Sequence, residues 1–239
     1  MFWFDEQYAQ FQMFSMAHML PLILLAVMIV VFKRFGHHFK GALEQTVRRT
    51  LIVLTLAMEW TFYMWEVRRS GLTADLLPLG LCALTLYLSC VMLWTKSRVL
   101  FRWIFVYAIS GSMLSLIIVD MPYTWPHFRY MHYFGVHMFF LLACLYAWIV
   151  WGYRLKYKHV MQASLGLAVY ALMIYQLNMQ LETNHLFLQA LPEQIAWLYA
   201  QLFERFWAIG FATSIFLLFN LLYVMLALIQ KKMAPETAP

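Results

Sequence analysis

Charge is scarce in this chain. Only 12% of its 239 residues are Asp, Glu, Lys or Arg, against 64% hydrophobic and 18% aromatic. A soluble domain of that length needs more polar surface, so a soluble fold is excluded. Cysteine is scarce as well: Cys82, Cys90 and Cys144 all fall inside apolar stretches, which offers neither a disulfide framework nor the ligand spacing of a zinc site. No repeat of about 20–50 residues recurs. The one biased tract is the Ala/Pro tail at 234–239, read as disordered. The opening Met-Phe-Trp-Phe-Asp-Glu lacks a basic region, so no cleavable signal peptide is expected. A formal charge of +6 does not point to nucleic acid, because its distribution follows membrane topology.

What the chain has instead is a succession of apolar runs of about twenty residues, each long enough to cross a bilayer as a helix. We read seven spans, at 14–33, 46–66, 76–95, 99–119, 132–151, 160–179 and 206–230. The expected fold is an all-α, polytopic transmembrane helix bundle, one domain over residues 1–233. Lys33, Arg34, Lys40, Arg48 and Arg49 flank the first connection. Lys96, Arg98 and Arg102 mark the third, Arg154, Lys156 and Lys158 the fifth, and Lys231 and Lys232 the last end. Of 17 basic residues, only Arg68, Arg69, Arg129 and Arg205 lie on the other side. The positive-inside rule then predicts an outside amino terminus and a cytoplasmic carboxyl terminus in the cell membrane, and an odd number of spans requires the same. The 182–204 connection carries Glu182, Glu193 and Glu204. Its Leu191-Pro192-Glu193, followed by Trp197, Leu198, Leu202 and Phe206, predicts a short amphipathic helix on the membrane surface.

With spans assigned, the polar residues can be ranked by depth. His18, Glu59, Glu66, Cys82, Asp120, His132, His137, Asn178, Asn184 and His185 all fall in the outer half, while the inner half holds basic anchors. A charged group within the hydrocarbon costs on the order of 2.5–3.5 kcal/mol. Several at one depth predict a shared polar cavity open to the outside. The stretch Asp120-Met-Pro-Tyr-Thr-Trp-Pro-His-Phe-Arg-Tyr-Met-His132, continuing to His137, holds more chemistry than a connection needs.

Each residue also has a plainer reading. Glu59, Tyr63 and Glu66 share one helix face; Glu59 is deep enough to belong to a network, and Glu66 pairs naturally with Arg69. His18 serves equally well as a core histidine. His132 lies near the interface and reads as structural. His137 is deeper and roughly 140° around the helix from it, which makes His137 the functional choice. Cys82 on its own is a small buried hydrophobe. Asp120 before Pro122 reads as a helix stop, with Arg129 as its partner, and Asn178 to His185 as end-capping.

Leu77-Pro78-Leu79-Gly80-Leu81-Cys82, the Pro126-His127-Phe128-Arg129-Tyr130 block with His137, and Asn178 with Thr183-Asn184-His185-Leu186-Phe187-Leu188 resemble, in order and over most of the chain, the YwaF-like family of bacterial integral membrane proteins. The chain departs from that pattern at Gly80, where His is frequent, and at His185, where Tyr is usual. A distant eukaryotic branch looks similar and is described as a membrane acyltransferase of ether phospholipids that uses a cysteine. The resemblance therefore implies an acyltransferase or transacylase acting on membrane lipids. Cys82 would be the acyl acceptor, His137 or His18 its base, and Glu59 or Asp120 the group orienting that base. Asp120, His127, Arg129, Asn178, Asn184 and His185 would line the substrate site. Membrane lipids are the expected partners, with no cofactor and no metal. Two alternatives stay open. One is a transporter or small-molecule-binding protein with a proton-coupled site of Glu59, His18 and His137, although no inverted repeat or broken helix pair supports it. The other is axial haem ligation by His18 and His137, although no histidines sit at four-residue spacing on one helix.

Overall fold

The computed structural model describes residues 2–8 and 10–233; the 234–239 tail lies outside the described residues. Eight helices follow in order: α1 (Met16–Phe35), α2 (Gly41–Ser70), α3 (Leu81–Thr95), α4 (Arg98–Ile117), α5 (Phe128–Ile149), α6 (Tyr157–Leu181), α7 (Glu193–Phe203) and α8 (Trp207–Met233). The described residues contain no strand. Six helical segments, built on α1, α3, α4, α5, α6 and α8, are long and apolar enough to cross a membrane. At 30 residues α2 is the longest of the eight α-helices. It stands apart in composition because Glu44, Arg48 and Glu59 are buried along it.

Helix α5 is the axis of the bundle. In its most apolar stretch 83% of residues are buried, against 17% for α1 and α6. A helix apolar on every face belongs inside. Lipid tails are as apolar as leucine, so helices in a membrane associate through close packing, which small residues permit. Ala143, Cys144 and Ala147 of α5 and Ala108 of α4 provide it, each 5% exposed or less. Helices α3 and α4 complete this core; α1 and α2 pack on α5, α6 and α8 lie against α4, and α7 folds onto α8. Leu24 and Val30 of α1, Leu165 and Leu172 of α6, and Leu221 and Leu228 of α8 are exposed. Apolar surface of that extent suits lipid and not water.

Helix α2 runs past the expected 46–66 at both ends, and two further boundaries differ from the sequence expectation, each for a local reason. Helix α3 begins at Leu81 instead of 76. Pro78 holds Leu77 in extended geometry (ψ 135°), so Ala74–Leu76 forms a separate 3₁₀ turn. Helix α5 begins at Phe128, four residues before the apolar run, because the His127 Nδ1 accepts the Arg129 N–H at 3.0 Å and caps it. Helix α7 forms in the predicted place. Gly210 lets it dock, since a Cβ there would come within 2.5 Å of the Phe203 ring.

The chain leaves two chemically different ends. His18, Glu66, Asp120 and His127 mark the histidine end; Glu44, Lys96 and Lys156 mark the basic end.

Candidate functional site

The four side chains expected to form one catalytic site, Cys82, His137, His18 and Glu59, are divided among three clusters. The first is built on Glu59 of α2, which is 7% exposed. His132 donates from Nε2 to Glu59 Oε1 at 2.8 Å, and its Nδ1 lies 2.9 Å from Arg129 Nη1. A guanidinium can only donate, so Nδ1 accepts and the ring proton sits on Nε2, facing the carboxylate. Tyr87 of α3 donates to Glu59 Oε2 at a long 3.5 Å. Phe62 stacks on the His132 ring at 4.5 Å and receives the Arg129 cation at 4.8 Å. Glu59 therefore orients His132, not His137, and Arg129 works here instead of as a partner for Asp120. Nearer the end, Glu66 pairs with Arg69, as its spacing implies.

The second cluster removes His18 from the catalytic set. Its Nδ1 accepts the Phe14 N–H at 3.0 Å, and its Nε2 donates to the Leu116 carbonyl at 2.8 Å. Nε2 ties α1 to α4 and Nδ1 fixes the turn that precedes α1, leaving neither to act as base or axial ligand. The proton-coupled alternative required His18 and Glu59 to face a common cavity; their hydrogen bonds take them to separate neighbours.

The third cluster gathers Cys82, Ser115, Tyr133 and His137 from α3, α4 and α5. The Cys82 Sγ lies 4.0 Å from Ser115 Oγ. It rests against Gly111, where a Cβ would sit 3.9 Å from the sulfur. Tyr133 donates its hydroxyl to the Ser115 carbonyl at 2.9 Å, and the Asp120 N–H points at that hydroxyl from 3.4 Å. His137 packs on the Tyr133 ring with centroids 4.5 Å apart. Ser112 donates to the His137 carbonyl at 2.8 Å. The thiol meets this turn of α4 at Gly111 and Ser115, and the His137 backbone meets it at Ser112.

The tautomer of His137 is the informative detail. Its Nδ1 lies 2.7 Å from the Tyr133 carbonyl. A carbonyl only accepts, so Nδ1 carries the proton and Nε2 is bare. Among the described residues no hydrogen bond engages that Nε2. Of the four histidines His18, His132, His137 and His159 on these helices, it alone keeps a free basic nitrogen. Cys82, for its part, is the second residue of α3, whose first-turn N–H groups have no intrahelical acceptor.

The residues expected to line a substrate site hold loops instead. Asn178 donates to the His185 carbonyl at 2.9 Å, and its Oδ1 accepts from Thr183 Oγ1 and the His185 N–H. Asn184 closes the next turn through Ala190 and Gln189. His185 reaches the Ala74 carbonyl at 3.2 Å. His127 caps α5 and stacks on Tyr123 at 3.9 Å.

Sequence reasoning missed a cluster at the basic end. Glu44 accepts from Arg48 at 2.8 Å, Lys96 at 2.9 Å and Trp151 at 3.1 Å. It stands in the first turn of α2, ahead of the spanning stretch. Burial pushes its carboxyl up, but Lys96, Arg48 and Trp151 outweigh burial and hold it below the usual range. The i, i+4 spacing of Glu44 and Arg48 was the available signal.

Two cavities flank these clusters. A slot of about 310 Å³ between α3, α4 and α6 is lined by Leu84, Leu88, Tyr107, Gly166, Tyr170 and Met173. Tyr107 lies one helical turn from the Gly111 that meets Cys82. A larger cleft of about 830 Å³ lies across α5, between α1 and α2. Among the described residues no three His, Cys, Asp or Glu side chains gather as a metal site requires.

No curated protein and no solved structure matches this chain. The TMEM164 family model matches residues 13–223, from just before α1 to within α8 and through every cluster just described. This multi-helix membrane protein belongs to the TMEM164 family.

Proposed function

We propose that the protein is a membrane-embedded acyltransferase that moves an acyl chain between lipids through Cys82, with His137 as the base. The observation that carries this reading is the bare Nε2 of His137, a residue whose backbone meets at Ser112 the turn of α4 that also meets Cys82, the only cysteine near a helix start. Cys90 and Cys144 are buried deeper within their helices.

The chemistry closes. The Cys82 sulfur attacks the ester carbonyl of a donor phospholipid as its proton passes towards His137. The acyl–oxygen bond breaks, the lysolipid alkoxide takes the proton, and a thioester remains on Cys82. An acceptor hydroxyl then gives its proton to His137 and attacks the thioester, restoring the thiol. Charge developing on the carbonyl oxygen meets the first-turn N–H groups and positive dipole end of α3. The α3–α4–α6 slot, at the lower end of ligand-site volumes, offers an apolar path for the acyl chain one turn below the sulfur. Ser115 and Tyr133 position the pair. If the basic end is cytoplasmic, as the positive-inside rule requires, the reaction belongs to the opposite leaflet.

The test is a lipidomic comparison of cells expressing the protein, cells lacking it, and cells expressing Cys82→Ser at matched level. Expression should redistribute acyl chains among phospholipids, and Cys82→Ser should match the deletion. An unchanged lipid profile, or full redistribution by the serine variant, removes the reading.

A further inference from the structure

The large cleft on the other side of α5 takes no part in that chemistry. It runs from Met16, Leu20 and Trp125 at the histidine end to Phe32, Arg48 and Tyr146 at the basic end. From Met16 to Phe32, α1 rises about 24 Å along it, more than one leaflet's share of a core about 30 Å thick. Its walls are apolar, and five methionines line it (Met16, Met28, Met58, Met131 and Met138). Methionine is unbranched and polarizable, so such walls conform to a flexible chain.

Its basic end is chemically different. Arg48 is 7% exposed and donates Nε to Glu44 and Nη1 to the Leu93 and Trp94 carbonyls. Its Nη2 has no hydrogen-bond partner among the described residues. Lys96 also pairs with Glu44, so two cations share one acid and the cluster keeps a surplus positive charge. Beside it, Tyr146 is 6% exposed and its hydroxyl is buried without a partner. Phe32, Phe39 and Trp151 hold that ring edge-on from 5.3 to 6.1 Å. A buried hydroxyl left unsatisfied is costly, and a guanidinium edge with free N–H groups suits a phosphate.

We propose that this cleft binds one anionic glycerophospholipid, with its phosphate at Arg48 and Tyr146 and an acyl chain along the Met-lined walls. The lipid comes from the leaflet at the basic end and completes the hydrogen bonding of both side chains. The site is separate from Cys82 and does not depend on acyl transfer.

The test uses the full chain in phosphatidylcholine nanodiscs doped with phosphatidylglycerol that carries a photoreactive diazirine in its acyl chain. Crosslinked residues are mapped by mass spectrometry. Labelling should concentrate on cleft-facing residues of α1, α2 and α5. Leu51→Trp, which fills the cleft, should reduce that labelling about tenfold, and Tyr146→Phe about threefold, near the worth of one hydrogen bond. Unlabelled phosphatidylglycerol exchanged for part of the phosphatidylcholine matrix should displace the probe at a lower mole fraction than zwitterionic phosphatidylethanolamine exchanged in the same way. Should Leu51→Trp fail to fold, Tyr146→Phe carries the test, because it removes only an unpartnered oxygen. Labelling spread evenly over α6 and α8 as well, labelling indifferent to Tyr146→Phe, or equal displacement by both lipids overturns the proposal.

Discussion

Replacing His137 with Gln is expected to lower acyl transfer roughly 10²–10⁴-fold, the usual contribution of a positioned base, without unfolding the bundle. The imidazole makes one side-chain hydrogen bond, to the carbonyl one turn back on its own helix. The interhelical bond at this residue, from Ser112, goes to its backbone carbonyl and survives the substitution. Lost activity with retained folding is the signature of a base. His18→Gln should behave in the opposite way, because Nε2 of His18 holds α1 to the Leu116 carbonyl of α4 and Nδ1 fixes the turn before α1. That variant should be less stable yet keep its activity per folded molecule. Acyl transfer measured in vesicles, normalised to folded protein by size-exclusion chromatography, separates the two outcomes.

The second large effect concerns stability. Arg129→Met should destabilise the protein by about 1.5–3 kcal/mol, the worth of a hydrogen bond to a charged group. Glu59 is buried among α2, α3 and α5, and the nearest counter-charge on the hydrogen-bonded chain is Arg129, reached through the His132 ring. With that cation gone the carboxylate has a neutral imidazole and a distant tyrosine. Adding Glu59→Gln should recover most of the loss. The amide still accepts from His132, and no unpaired charge remains. Unfolding in denaturing detergent, run as a double-mutant cycle, gives the coupling directly. Additive losses would mean that Glu59 and Arg129 do not share a network.

The same two clusters show how far the chain could be read in advance. Hydropathy and basic-residue bias make the long helices legible, because the bilayer imposes a length and a solvent on every segment. Depth is legible too, since residues count off along a helix at about 1.5 Å each. The concentration of Glu59, Cys82 and His137 towards one end follows from that alone. What a single helix cannot reveal is which face of its neighbour it meets. Glu59 and His132 are 73 positions apart and touch, although His132 read as an interfacial residue. His18 and Cys82 share a depth and face different partners. The free nitrogen of His137 depends on a proton position set by the Tyr133 carbonyl, which no spacing encodes. At the basic end, Trp151 meets Glu44 across 107 positions, so only the Glu44–Arg48 half of that cluster was written in local sequence.

The central claim is that an acyl group resides on Cys82 during the reaction. Purified protein incubated with phospholipid vesicles, quenched in acid and digested, should yield the Cys82 peptide with the mass of a fatty acyl chain. That mass should vanish on treatment with neutral hydroxylamine, which cleaves thioesters, and should accumulate when no acceptor lysolipid is supplied. Acyl exchange between lipids that proceeds while the Cys82 peptide stays unmodified under all these conditions would contradict the account.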